Sequence, residues 1–237
     1  MKLLVDSFIS RYVMLVLSVT LCGVTVTSCN ASSSLKNEEL PYVDSENTVL
    51  HSRNNRLRIV AFGDSLTAGL GVSPDESYPA RLQAVIDEAG YDFFVENAGV
   101  SGETTAGGLR RMDWVLNGDA EIVILALGGN DGLRGLPVEQ MKDNLSKMID
   151  IIRESGARVL LAGMEAPQNF GVEYTDAFRS VFQELADQHA VIFLPFLLDG
   201  VAGIPELNQP DGIHPNVRGA QRVSDNVWSV LELMISE

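Results

Sequence analysis

Cysteine is almost missing from this chain of 237 residues: Cys22 and Cys29 are its two cysteines, and none follows. The body beyond residue 29 therefore has neither a disulfide nor a thiol nucleophile at its disposal. Histidine is nearly as scarce, with His51, His189 and His214 the three present, and basic residues are few. Against 32 acidic side chains stand 17 lysines and arginines, a formal charge of −15. So acidic a surface is repelled by nucleic acid and by anionic lipid headgroups, and it speaks for solubility. No internal repeat is visible. The G-x-S-x-G elbow of the standard α/β-hydrolases is also lacking, because Gly99-Val100-Ser101-Gly102-Glu103 fails at its last position.

What is present begins with a leader. Lys2 and Arg11 precede an apolar run from Tyr12 to Val26 that is short for a membrane span and suits the core of a signal peptide. It ends in Val26-Thr27-Ser28-Cys29, which resembles a bacterial lipobox, so residues 1–28 are expected to be removed and Cys29 lipidated. Asn30 stands where an aspartate would signal retention at the inner membrane, which directs the anchor to the outer membrane. An ordinary cleaved signal or an uncleaved anchor is the alternative, and all three export the domain to the periplasmic side. Lys2, Arg11 and Asp6 leave with the leader, so the exported part carries −16. Residues 29–55 are polar and acidic, with a Ser-Ser-Ser run and little apolar periodicity, and read as a flexible spacer. His51, inside that spacer, is read as idle.

Residues 56–237 read as one globular domain. An apolar strand over residues 57–62 ends in Gly63-Asp64-Ser65, and a helix follows that opens at Ser77-Tyr78-Pro79, with Ser77 as its capping residue and Pro79 in its first turn, and stops at Gly90. Strands over 93–96, 122–127, 158–162 and 191–194 alternate with helical periodicity through Leu109 to Leu116, over 138–154, over 175–188 and over 215–235. Strand and helix alternating in this way predict a flavodoxin-like three-layer α/β/α sandwich around a five-stranded parallel sheet. The turns at the carboxyl ends of such strands converge on one rim, where ligands bind.

Three of those turns are rich in glycine and carry reactive or polar side chains. Ser65 follows the first strand, and its bland reading is a helix cap, a role that suits Asp and Ser. His189 falls at a helix end, where histidines commonly meet terminal carbonyls, and is read as structural. That leaves His214, in Asp211-Gly212-Ile213-His214-Pro215. Asp and His three apart in a tight turn can hydrogen bond, the carboxylate fixing the imidazole tautomer and leaving the other nitrogen to take a proton. Pro215 is expected at the first helical position. A serine hydroxyl is a weak nucleophile without such a base, so Ser65 and His214 need each other. Acyl transfer further needs donors for the developing oxyanion, and the N–H groups of Ser65 and Gly102 with the side-chain amide of Asn130 are the candidates. A flavin or nucleotide binder of the same fold is a rival reading. Asp64 puts negative charge where an anion nest would be required, and no Lys or Arg follows until Arg81.

These four blocks resemble the SGNH hydrolases, also called the GDSL family. Gly63-Asp64-Ser65-Leu66 matches the first, Gly102 within Val100 to Thr104 the second, Gly128-Gly129-Asn130-Asp131 the third, and Asp211-Gly212-Ile213-His214-Pro215 the last. Leu127 to Gly135 and Pro167-Gln168-Asn169-Phe170-Gly171 are similar to the bacterial thioesterase I, lysophospholipase and arylesterase branch, so the likeness spans about residues 57–236. It implies hydrolysis of short to medium (thio)esters or lysophospholipids through an acyl-enzyme on Ser65. His214 would be base then acid, Asp211 its orienting group and Asp64 a support of the first block. It implies no metal or organic cofactor, and the protein is expected to be a monomer. Residues 164–174, with Met164, Pro167, Asn169 and Phe170, match the wall of that branch's acyl groove. The stretch from Pro195 to Gln209 matches less clearly. Within the family, a carbohydrate O-deacetylase is the runner-up.

Overall fold

The computed structural model describes residues 56–236. The expected leader, Cys29 and the spacer with His51 lie outside the described residues. Five strands form one parallel sheet in the order β2-β1-β3-β4-β5, the strands being β1 (Leu57–Gly63), β2 (Phe93–Gly99), β3 (Ala120–Ala126), β4 (Arg158–Ala162) and β5 (Ile192–Leu194). β1 and β3 hold the middle because their side chains are apolar on both faces: Ile59 to Phe62 and Ile122 to Ala126 are all fully buried. Each large aliphatic among them gives roughly 1.5–3 kcal/mol over an exposed position, which fixes those two strands as the core.

Eight α-helices surround the sheet among the described residues: α1 (Ser65–Ala68), α2 (Tyr78–Glu88), α3 (Thr105–Arg110), α4 (Met112–Val115), α5 (Gly129–Leu133), α6 (Val138–Glu154), α7 (Val172–His189) and α8 (Val217–Ile235). α2 packs on α8, while α6 packs on both α3 and α7. The two groups share no packing of note, as expected of layers on opposite faces of a sheet. α6 has the bounds its periodicity gives, burying Met141, Leu145, Met148, Ile149 and Ile152 along one stripe.

Several local expectations are corrected. Ser77 occupies the cap position of α2, but its hydroxyl donates to the carbonyl of Pro74 instead of accepting from the helix. The helix anticipated through Leu109 to Leu116 is broken in two at Arg111, whose side chain is drawn inward. Pro215 lies before α8, not at its first position; Asn216 is the cap, accepting from the N–H groups of Arg218 and Gly219 at 3.0 and 3.1 Å. Among the described residues His189 hydrogen-bonds no terminal carbonyl. It joins α7 to α6, with Nε2 2.9 Å from Ser146 Oγ and Nδ1 3.2 Å from Asp150.

Candidate active site

The site is assembled at the carboxyl ends of β1, β2 and β3. The register sets Gly63 beside Gly99 on one side and Ala126 on the other, so the chain leaves all three strands at one level. Gly63 admits no side chain, because a Cβ would lie 2.1 Å from Thr67 Oγ1 and 2.8 Å from the Ala126 carbonyl. The turn can therefore fold tightly over the strand ends. Asp64 caps α1 by accepting the Leu66 N–H at 3.0 Å, and Ser65 becomes the first residue of that helix. The capping role falls to Asp64, so the Ser65 hydroxyl is left for another partner.

That partner is His214. Its Nε2 lies 2.9 Å from Ser65 Oγ, across 149 positions of sequence, and its Nδ1 lies 2.6 Å from Asp211 Oδ2. The other Asp211 oxygen accepts the N–H groups of Ile213 and His214 at 2.9 and 3.0 Å. The bond to His214, reinforced by those two amides, holds the Asp211 carboxyl down at about 2. With Asp211 ionised, Nδ1 carries the proton and Nε2 presents a lone pair to the Ser65 hydroxyl. The His214 turn is itself strapped down: Gln209 donates its N–H to the His214 carbonyl at 2.8 Å, and its side-chain amide donates to the carbonyls of Leu70 and Pro215. Thus the chain after Ser65 and the chain around His214 share a tie besides the Ser–His contact.

Donors gather on the other side of Ser65. Neither its N–H nor that of Gly102 meets an acceptor among the described residues. Gly102 has a φ of +79°, and a Cβ there would meet only Arg134, which already donates to the Gly102 carbonyl at 2.8 Å. Asn130 donates one N–H of its amide to Asp64 Oδ2 at 3.1 Å, leaving the second free. Asp64 is 2 % exposed, and burial drives its carboxyl up to about 6 despite the bonds from Leu66 and Asn130.

Below the donors lies a pair the sequence reading did not single out. Arg111 reaches under the Gly102 turn to the carbonyls of Ala98 and Gly63 at 2.8 and 3.2 Å, forms an ion pair with Glu103, and lies over the Phe62 ring at 4.2 Å. It joins the ends of β1 and β2 directly under the nucleophile turn. The residue was hidden because Arg110-Arg111 reads as the polar end of an exposed helix.

A cavity of about 490 Å³ opens beside Ser65. Met164 and Pro167 line it, whereas Asn169 and Phe170 are not among its lining residues. Phe170 turns away, packing at 5.4 Å from the Tyr174 ring and against Gly135. The other wall comes from Phe196, Leu198, Ala202 and Ile213. Three of these lie in the stretch after β5, which has no periodicity to betray an inward face.

The family described as GDSL-like Lipase/Acylhydrolase matches residues 61–222. The chain belongs to that family. As one of these acylhydrolases, it is a hydrolase of ester bonds. It is 40 % identical over 178 residues to Esterase TesA of Pseudomonas aeruginosa, which covers 75 % of this chain and 89 % of that protein. It is 37 % identical to Thioesterase 1/protease 1/lysophospholipase L1 of Escherichia coli strain K12, over 74 % of this chain and 82 % of the other. Among solved structures, the psychrotrophic esterase EstA from Pseudoalteromonas sp., inhibited by monoethylphosphonate, superposes with a TM-score of 0.73 at 31 % identity, covering 76 % of this chain and 99 % of that one.

Proposed function

We propose that this acylhydrolase cleaves carboxylic esters and thioesters of short to medium acyl chains through an acyl-enzyme on Ser65. The observation that carries the reading is the line of contacts from Ser65 Oγ to His214 Nε2 and from Nδ1 to Asp211. As Oγ attacks the acyl carbon, its proton passes to Nε2, and the carbonyl π pair moves onto oxygen. The oxyanion accepts from the N–H groups of Ser65 and Gly102 and the free N–H of the Asn130 amide. Donors placed this way contribute about 10²–10³ each in rate. His214 then protonates the leaving alcohol or thiol, the acyl carbon stays on Oγ, and a water deprotonated by His214 releases the acid and restores the serine. The apolar cavity bounded by Met164, Phe196 and Leu198 suits the acyl chain.

The test is a chain-length series of p-nitrophenyl esters, acetate to palmitate, run beside acetylated xylan and lysophosphatidylcholine. A maximum between butyrate and decanoate supports the reading. Release of acetate from the polysaccharide alone, with no turnover of any aryl ester, overturns it in favour of a deacetylase.

We further propose that residues 1–28 are an export signal and that Cys29 is a lipidated mature N-terminus. Intact mass of the protein purified from its host membrane tests it, a diacylated or triacylated Cys29 supporting the anchor and an unmodified N-terminus refuting it.

A further inference from the structure

Asp131 directly follows Asn130 in the third block, yet it is buried and bonded to the second block. Its two oxygens both accept from Thr105, one from the N–H at 2.9 Å and one from the hydroxyl at 2.7 Å. Thr105 is the first residue of α3, three positions beyond Gly102, and is fully buried. Its hydroxyl oxygen in turn accepts from the Asn144 amide at 3.1 Å, so the pair is held against α6. A carboxylate with two converging donors is rigid in position and direction, since charge-assisted bonds are roughly twice as strong as neutral ones and strengthen out of water. The turn that carries the Gly102 N–H and the turn that carries the Asn130 amide are thus joined through one buried contact.

We propose that Asp131, Thr105 and Asn144 are positioning residues for this reaction, acting as a clamp that sets the spacing between the Gly102 and Asn130 donors. The proposal rests on the acyl-enzyme reading above. Among the described residues no hydrogen bond or ion pair joins any of the three to Ser65 or His214, so they act through the donors. A displaced donor loses most of its effect on the transition state and little of the ground-state binding, because misplacement of about 1 Å can cost about 10²-fold. The clamp should therefore appear in kcat and not in KM.

Thr105→Val keeps the volume and removes the hydroxyl, whereas Thr105→Ser keeps both bonds to Asp131. Steady-state kinetics with p-nitrophenyl butyrate are measured for both, alone and in an Asn130→Ala background, with circular dichroism to establish folding. Thr105→Val is expected to lower kcat by about tenfold or more with KM within about twofold, and Thr105→Ser to keep at least half of the activity. In the Asn130→Ala background the further loss from Thr105→Val should shrink to about threefold or less, as residues acting as a unit are non-additive. A folded Thr105→Val enzyme with unchanged kcat, or the same tenfold loss without Asn130, overturns the proposal. Asp131→Asn, which replaces an acceptor by a donor facing Thr105, repeats the comparison if Thr105→Val does not fold. Failure of both to fold makes the clamp a stability element only and also overturns it. Ser65→Ala run alongside separates the two levels: activity retained there refutes the acyl-enzyme reading, and activity lost there with Thr105→Val unaffected refutes the clamp alone.

Discussion

Asp64 and Asn130 lie 66 positions apart and are joined by a 3.1 Å hydrogen bond from the Asn130 amide to the Asp64 carboxylate. The same carboxylate caps α1 through Leu66, so a single buried acid both orients the helix bearing Ser65 and aims the Asn130 amide. Burial opposes its ionisation and raises it to about 6, against an ordinary value of 3.8. A carboxyl raised on folding binds more protons in the folded than in the unfolded state between those two values. Its ionisation therefore lowers stability as pH rises from about 4 to about 6, by about 3 kcal/mol in full.

Asp64→Asn should remove that dependence. Measured by urea unfolding, the stability of the variant relative to the native protein should rise across pH 4 to 6 and level off above. Its kcat should fall by about tenfold or more at every pH, because an amide at position 64 turns a donor toward Asn130. A stability difference that is flat across this window contradicts the assignment.

Asp211 is exposed and bound to an imidazole, so its loss should be felt in catalysis and not in folding. Asp211→Asn is expected to lower kcat by about 10²–10⁴, with a melting temperature within a few degrees of the native one, because the wrong tautomer of His214 is then favoured. The low value of about 2 for Asp211 means that the carboxylate remains ionised throughout the acid limb of the pH–rate profile. That limb therefore reports other groups.

Ser146, His189 and Asp150 form a second Ser–His–Asp constellation, between α6 and α7, with spacings of 2.9 and 3.2 Å. Its serine lies in the middle of α6, where backbone N–H groups are engaged in the helix and cannot serve an oxyanion. Ser146→Ala should leave kcat and KM for p-nitrophenyl butyrate within about twofold, while lowering unfolding free energy by about 1 kcal/mol through the lost bond to His189. A large loss of turnover would require a second reactive serine.

Ala202 stands in the wall after β5 beside Phe196 and Leu198. Filling the cavity there with Ala202→Trp should shift the preferred p-nitrophenyl ester toward shorter chains, cutting kcat/KM for decanoate by about tenfold or more and for acetate by about twofold or less. Equal losses at all lengths would place the acyl chain elsewhere.

Most of the frame was legible because it is written in local patterns. Ile122 to Leu127 is an unbroken apolar run that only a central strand of this length can bury, and Val138 to Glu154 shows the helical period at every buried position. Ser65 and Asn130 stand out because they follow apolar runs that end in glycine, Gly102 because it lies in a glycine-rich turn, and His214 because Asp211 stands three positions before it in a tight turn. The supports were illegible for the opposite reason. Arg111 looks like a solvated helix end until the carbonyls of Gly63 and Ala98 are brought beneath it, and Thr105 looks like any residue of a first turn until Asp131 arrives from 26 positions away. Phe170 misled because an aromatic in a loop beside a groove has two neighbours to choose from, and Gly135 with Tyr174 offered it a closer fit.

The most direct measurement is a covalent one. The enzyme is treated with an ethyl p-nitrophenyl phosphonate, digested with trypsin, and the modified peptide is fragmented to find the residue that carries phosphorus. The account predicts one phosphonyl group per chain, on Ser65, with labelling abolished in His214→Ala. Stoichiometric labelling of any other residue, with Ser65 unmodified and activity lost, would contradict it.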